Sequence, residues 1–205
     1  MTTDDAATRL DRSDRIGAYA TIAVAALAIG GAAWAASARL AEVLPGRDVP
    51  VLVPFLDEAA ELPIGPDGAA FPVEVDRAVV TVAEPAAATQ FALVAEPIVH
   101  AAAIIAGVAL LAALCWNLAR GHAFSPANVR IVWWGAAVLT AGWLFGTVLT
   151  NMTVNGALAA VSARTYDGIT FSTDWAIPFA ILVIGAVGAA FQVGRRLQVE
   201  TEGLV

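Results

Sequence analysis

Apolar residues run along the chain in four uncharged blocks, at 16–38, 97–119, 131–163 and 175–194, set apart by charged or polar segments. Each block holds at least the roughly 20 residues that a helix needs to cross a hydrocarbon core. The pattern predicts spans over 16–38, 97–119, 131–150 and 175–194. Beyond Thr150 the third block turns polar at Asn151, Thr153 and Asn155, and its helix is expected to run on past the membrane surface. A helical lead-in from Ala86 would extend the second span and make Pro97 a kink.

The segment 39–96 has a different rhythm. Pro50 to Leu56 and Phe71 to Val82 have the β-branched content and partial alternation of strands, and Gly65-Pro66-Asp67-Gly68 between them is a turn signal. A small β-structure is expected here, on the outer ends of the helices. A unit of this size, without a disulfide or a metal, does not readily fold alone, so it should lean on the helices.

Four crossings put both termini on one side. Arg9, Arg12, Arg15, Arg120, Arg130, Arg195 and Arg196 cluster on that side, close to helix ends, which makes it cytoplasmic by the positive-inside bias. Residues 1–15 then form a cytoplasmic tail, 120–130 a cytoplasmic turn, 151–174 an outer loop and 195–205 a second tail. The first block imitates a signal peptide, with its arginine-led start and Ala35-Ala36-Ser37-Ala38 end. Its uncharged core exceeds the roughly 7 to 15 residues of such a peptide, so it reads as a retained helix. It is also rich in alanine and glycine. Ala26 with Gly30, and Gly31 with Ala35, offer small faces for close helix approach, which predicts an interior packing helix.

Composition agrees with the membrane class: 59% of the 205 residues are apolar and only 14% charged. The formal charge of -7 resides in 39–96, where ten acids face three arginines. An acidic outer segment and no basic stripe argue against direct nucleic-acid binding. The single cysteine, Cys115, permits no internal disulfide. Together with abundant alanine, the absence of lysine points to a GC-rich bacterial genome. Trp34 and Trp175 fall at outer span ends, and Trp116, Trp133 and Trp134 at cytoplasmic ends, as interfacial anchors do.

The cytoplasmic turn, Arg120 to Arg130, is built from helix-end signals. Gly121 suits a helix stop, Ser125-Pro126 an N-cap with proline at the first helical position, and Phe124 with Val129 a hydrophobic staple. Candidate packing positions are Gly142 and Gly146 in the third span, a GxxxG face, and Gly185 and Ala189 in the fourth.

Chemistry is sparse. No Asp, Glu, Lys or Arg lies between the bounding charges of any predicted span, whereas pumps and ion-coupled transporters usually keep ionisable groups there. There is no GxSxG, HExxH, phosphate loop or cysteine pair, so no catalytic residue, metal ligand or cofactor is predicted. His100 and His122 stand at opposite ends of the second span and share no site. Asp57, Glu58, Glu61 and Asp67 match no calcium loop and read as a solvated acidic face.

Gly121-x-x-Phe124-Ser125-x-x-Asn128-x-Arg130, together with Phe191-x-x-Gly194-Arg195-Arg196-Leu197-Gln198 and the closing Glu202-Gly203-Leu204-Val205, resembles the bacterial four-helix membrane family called domain of unknown function 2975. That resemblance implies a cytoplasmic partner akin to a small helix-turn-helix repressor. It marks Phe124, Ser125, Asn128, Arg130, Arg195 and Arg196 as the partner surface, with no catalytic residue. Capping, topology and lipid headgroups account for the same residues without any partner.

The expected fold is therefore an all-α, four-helix antiparallel transmembrane bundle with a small β-containing extracytoplasmic segment between its first two helices. It would lie in the bacterial inner membrane with both termini cytoplasmic. The expected function is a non-enzymatic accessory or regulatory one. The alternatives are an oligomeric transporter or channel, assembled through the glycine-bearing faces, and an outer module holding a cation or cationic ligand on its acidic residues.

Overall fold

The computed structural model of the protein describes residues 12–120, 125–165 and 171–202. Its elements are four helices and one β-hairpin: α1 (Arg12–Val43), β1 (Val49–Leu62), β2 (Phe71–Val82), α2 (Ala87–Ala119), α3 (Pro126–Val161) and α4 (Ala176–Glu202). All four helices contain stretches long and apolar enough to cross a membrane. Each of α1, α2 and α3 extends beyond the uncharged block that predicts it. The reason is physical: a few polar residues end a hydrophobic run without ending a helix, which stops only where capping or proline stops it.

Those caps are present. Ser125 Oγ accepts the Asn128 backbone N–H at 3.2 Å ahead of Pro126, and Asp174 Oδ1 accepts that of Ala176 at 2.9 Å ahead of α4. Gly121 and Phe124 lie outside the described residues, so the helix stop and the staple placed there do too. At the end of α1 the carbonyl of buried Val43 accepts the Gly46 N–H at 3.1 Å and, from far along the chain, Gln90 Nε2 at 2.7 Å. The chain then turns through Gly46 and Asp48, both at positive φ, and Asp48 N–H meets Ala83 O to close the base of the hairpin.

Contacts divide the chain into two compact units. One comprises 1–37, 99–144 and 174–205, and the other 38–98 and 145–173. The second unit contains the hairpin. β1 and β2 pair antiparallel, Val49 opposite Val82 through Pro54 opposite Arg77, and then, after an irregularity between Pro54 and Glu58, Glu58 opposite Val75 through Leu62 opposite Phe71. On the near half, Val49, Val51, Val53 and Val82 face inward and are buried, while Leu52 and Val79 pair on the outward face. Val43, Leu93, Val154, Ala157 and Leu158 complete this core from α1, α2 and α3. The hairpin therefore leans on helices, as its size requires. Past the irregularity no residue of either strand is buried.

The described buried residues, apart from Asn128, Val132 and Gly188, all belong to this second unit. In the first unit α1 departs from expectation. Ala26, Gly30, Gly31 and Ala35 are exposed, and a side-chain carbon added at Gly30 or Gly31 would meet nothing within 4 Å. Its half-buried stripe is instead Thr21, Ala25, Ile29, Ala32 and Ala36, so the small faces are not interior packing surfaces of this chain.

Leu93, at 1% exposure, is the largest fully buried residue of the hairpin core. Leu93→Ala should destabilise the protein by about 2–5 kcal/mol. The change should be read as a lower unfolding temperature in detergent and faster proteolysis within 49–82.

Candidate functional site

The polar groups of the second unit gather around Glu96. This residue lies ten positions into α2, followed by Pro97, which has no N–H to continue the helical ladder. The helical lead-in thus brings a carboxylate inside an apolar helix, where the block boundaries placed it just outside. Thr150 Oγ1 donates to Glu96 Oε1 at 2.6 Å, and Thr153 Oγ1 donates to Oε2 at 3.2 Å. Three residues apart, the two threonines share one face of α3, which lets both reach one carboxylate. Thr153 is buried, and a hydroxyl there without a partner would carry a desolvation cost.

A second set of bonds fixes the chain that follows α3. Asn151 Nδ2 donates to Ser172 O at 3.0 Å, and Ser172 N–H returns a bond to Asn151 Oδ1 at 2.9 Å. Thr147 and Thr173 hydroxyls lie 3.3 Å apart. Glu96 with Thr150 and Thr153 is thus a clasp between α2 and α3, and Asn151 ties residues 171–173 to the same stretch of α3. Close helix approach accompanies the clasp: a side-chain carbon at Gly156 would collide with Thr89.

Sequence reasoning did not single out Glu96, Thr150 or Thr153. The signal was there, in a lone carboxylate one residue ahead of a proline and two threonines at helical spacing, but nothing in the sequence aligned them across two helices.

In the first unit the Asn117 amide donates to Asn128 Oδ1 at 2.8 Å. Asn128 is fully buried, so it is withdrawn from the accessible surface on which the resemblance placed it. Ser125 serves as a cap, and Arg130, Arg195 and Arg196 are exposed. Phe124 lies outside the described residues. Gly142 packs as expected: a carbon added there would lie 2.5 Å from Ala103 Cβ. Gly146 is buried. A carbon added at Gly185 would meet nothing within 4 Å and Ala189 is exposed, whereas one added at Gly188, which is buried, would lie 3.3 Å from Val132 Cγ1, so within this chain the close approach of α4 falls at Gly188. From Ala103 to Asn117, and from Asn128 to Gly142, the step is fourteen residues on each helix, the two-heptad spacing of a 3.5-residue repeat.

Of the four acidic residues singled out in the hairpin, the side chain of Asp57 lies outside the described ones. Glu58 and Glu61 are exposed and separated by an odd number of residues, which places them on opposite faces of β1, and Asp67 sits in the turn at its tip. Among the described residues no group of three histidine, cysteine or acidic side chains is placed to hold a metal.

These features define a helical protein with four long apolar helices and one β-hairpin unit. No known protein family, curated protein or solved structure matches the chain.

The clasp makes a quantitative statement. Glu96→Ala should cost about 1.5–3 kcal/mol, the range for hydrogen bonds to a charged group. In a double-mutant cycle with Thr150→Val the two changes should be non-additive by at least ~0.5 kcal/mol, measured by denaturation in detergent.

Proposed function

We propose that the chain is a multi-pass protein of a bacterial inner membrane, an antiparallel four-helix bundle with both termini cytoplasmic. In this reading it works as a non-enzymatic accessory or regulatory protein through contacts with a partner. The membrane part rests on an inversion of the usual relation between apolarity and burial. The most apolar windows of the four helices are 6%, 0%, 11% and 6% buried. In water so much exposed hydrocarbon would drive aggregation, whereas lipid accepts it. Trp34, Trp133, Trp134 and Trp175 are all exposed, in keeping with interfacial anchors. Helices of 33 and 36 residues, about 50 and 54 Å, overrun a hydrocarbon core of roughly 30 Å. The excess is the part of each helix, 87–98 and 145–161, that belongs with the hairpin.

The observation that carries the partner reading is the open state of the glycine faces. Gly30 and Gly31 of α1 and Gly185 of α4 have nothing within 4 Å of an added side chain, although α2 and α3 use Gly142 for close contact. Between helices in lipid, small residues are the usual means of close approach. The chain therefore keeps packing faces that it does not itself fill. A membrane helix of another protein fits them, and a second copy of this chain is the homo-oligomeric alternative, the arrangement a channel would need. The resemblance to the family of domain of unknown function 2975 adds a repressor-like cytoplasmic protein, for which Arg130, Arg195 and Arg196 are the exposed surface.

Photo-crosslinking of the tagged protein in its native membrane, followed by mild-detergent purification and mass spectrometry, tests this. A stoichiometric partner is expected, and Gly30→Leu or Gly185→Leu should lower its yield several-fold while leaving thermal stability within ~0.5 kcal/mol of the parent, as surface substitutions do. Recovery of self-crosslinked species alone would replace the accessory reading with the oligomeric one. Turnover of a substrate by the purified protein would overturn it.

A further inference from the structure

α2, α3 and α4 line an open groove of about 470 Å³ in the first unit, bounded by Ala103 and Leu114 of α2, Ile131 and Leu139 of α3, and Ile184 and Val187 of α4. Every lining residue is apolar. The volume falls within the roughly 300–1,000 Å³ of small-molecule sites. Along α2 the groove runs eleven residues, about 17 Å, which makes it a slot for an extended chain and not for a compact ligand. Two contacts between α2 and α3 bracket it: Ala103 against Gly142 at one end, and Asn117 against Asn128 beyond the other.

Two glycines hold the slot open. Gly107 and Gly135 line it from facing helices, and a side-chain carbon added to either would meet nothing within 4 Å. These glycines do not serve helix packing, as Gly142 does. They leave out volume that leucine, the common residue of this lining, would fill. Charge differs at the two ends. Exposed Arg130 immediately precedes the lining residue Ile131, and exposed Arg120 lies six residues beyond Leu114, its guanidinium 4.6 Å from the centroid of the Trp116 ring. Neither arginine makes an ion pair among the described residues. At the Ala103 end the nearest ionisable residues of α2 are His100 and Glu96.

From these observations we infer that the slot is a binding site for one acyl chain of an anionic phospholipid, its phosphate held by Arg130 and Arg120. An apolar slot that excludes every polar group accepts hydrocarbon, and exposed arginines just beyond one end of its lining favour a negative headgroup over a zwitterionic one. The inference rests on the membrane reading above, and deepens it by giving the helices a particular lipid as ligand.

The test uses the full-length protein in nanodiscs containing a trace of phospholipid with a photoactivatable acyl chain, carried on either phosphatidylglycerol or phosphatidylcholine. Flotation of native membranes comes first, and protein that fails to float with lipid overturns the membrane reading itself. With floating protein, the phosphatidylglycerol probe should label the slot segments of α2, α3 and α4 at least tenfold more than the exposed face of α1. Gly107→Leu and Gly135→Leu should each abolish that excess, while Gly30→Leu, on α1, leaves it intact. Arg130→Gln, which alters no packing, should remove the preference for phosphatidylglycerol over phosphatidylcholine. Equal labelling by both probes in the parent, labelling that survives both leucine substitutions, or crosslinks from the slot to a second copy of the chain would each overturn the inference.

Discussion

The close approach of α2 and α3 is the constraint on which most of this structure depends. Backbones come near each other only where side chains are small, and this chain meets that condition at Gly142 against Ala103 in one unit and at Gly156 against Thr89 in the other. Once the helices are that near, different residues exploit it. In one unit Thr150 and Thr153 reach Glu96, and Leu93, Val154, Ala157 and Leu158 reach the inner face of the hairpin. In the other, the Asn117 amide finds Asn128. A bulky residue at either glycine would cost more than one contact, because the hydrogen bonds beside it have a tight distance tolerance.

The two units obey opposite rules of burial. One has a core of the kind found in water-soluble domains, with valines of β1 and β2 alternating inward against apolar residues of three helices. The other presents its largest apolar side chains outward and buries an asparagine. Under the membrane reading proposed above, this is what a chain adapted to two solvents should look like. Where water surrounds the protein, apolar groups gather inside. Where hydrocarbon surrounds it, nothing is gained by hiding them, and the interior becomes the place for amides and small residues.

Sequence periodicity and charge made the helices and β2 legible, because a long uncharged run and a β-branched alternating run are local properties. The lead-in from Ala86 and the run-on past Thr150 were legible too, and α2 begins at Ala87 and α3 ends at Val161; what was not legible is which groups those extensions bring together, because such contacts join residues distant in sequence. The same blindness hid the clasp: Glu96 looked like the charge that ends a block, and only the facing threonines reveal it as part of an interior. Small-xxx-small spacing marked faces correctly as narrow but could not say which were used. Gly142 is filled by Ala103, whereas Gly30, Gly31 and Gly185 face open space, and Gly188 does the work expected of Gly185. Asn128 was assigned to a surface by resemblance, yet its short amide suits the inside of a helix pair.

The hairpin is two structures in series. Its near half is packed into a buried core, whereas in its far half, beyond the irregularity at Pro54 to Glu58, the strands pair without any buried residue. Length in the far half is therefore nearly unconstrained by packing, subject to a parity rule: residues must be added in pairs on each strand to keep the pleat in phase. Residues 62–71 are consequently the segment where homologous chains would be free to differ in reach, and where an epitope or a reporter domain can be spliced in without disturbing the core beneath.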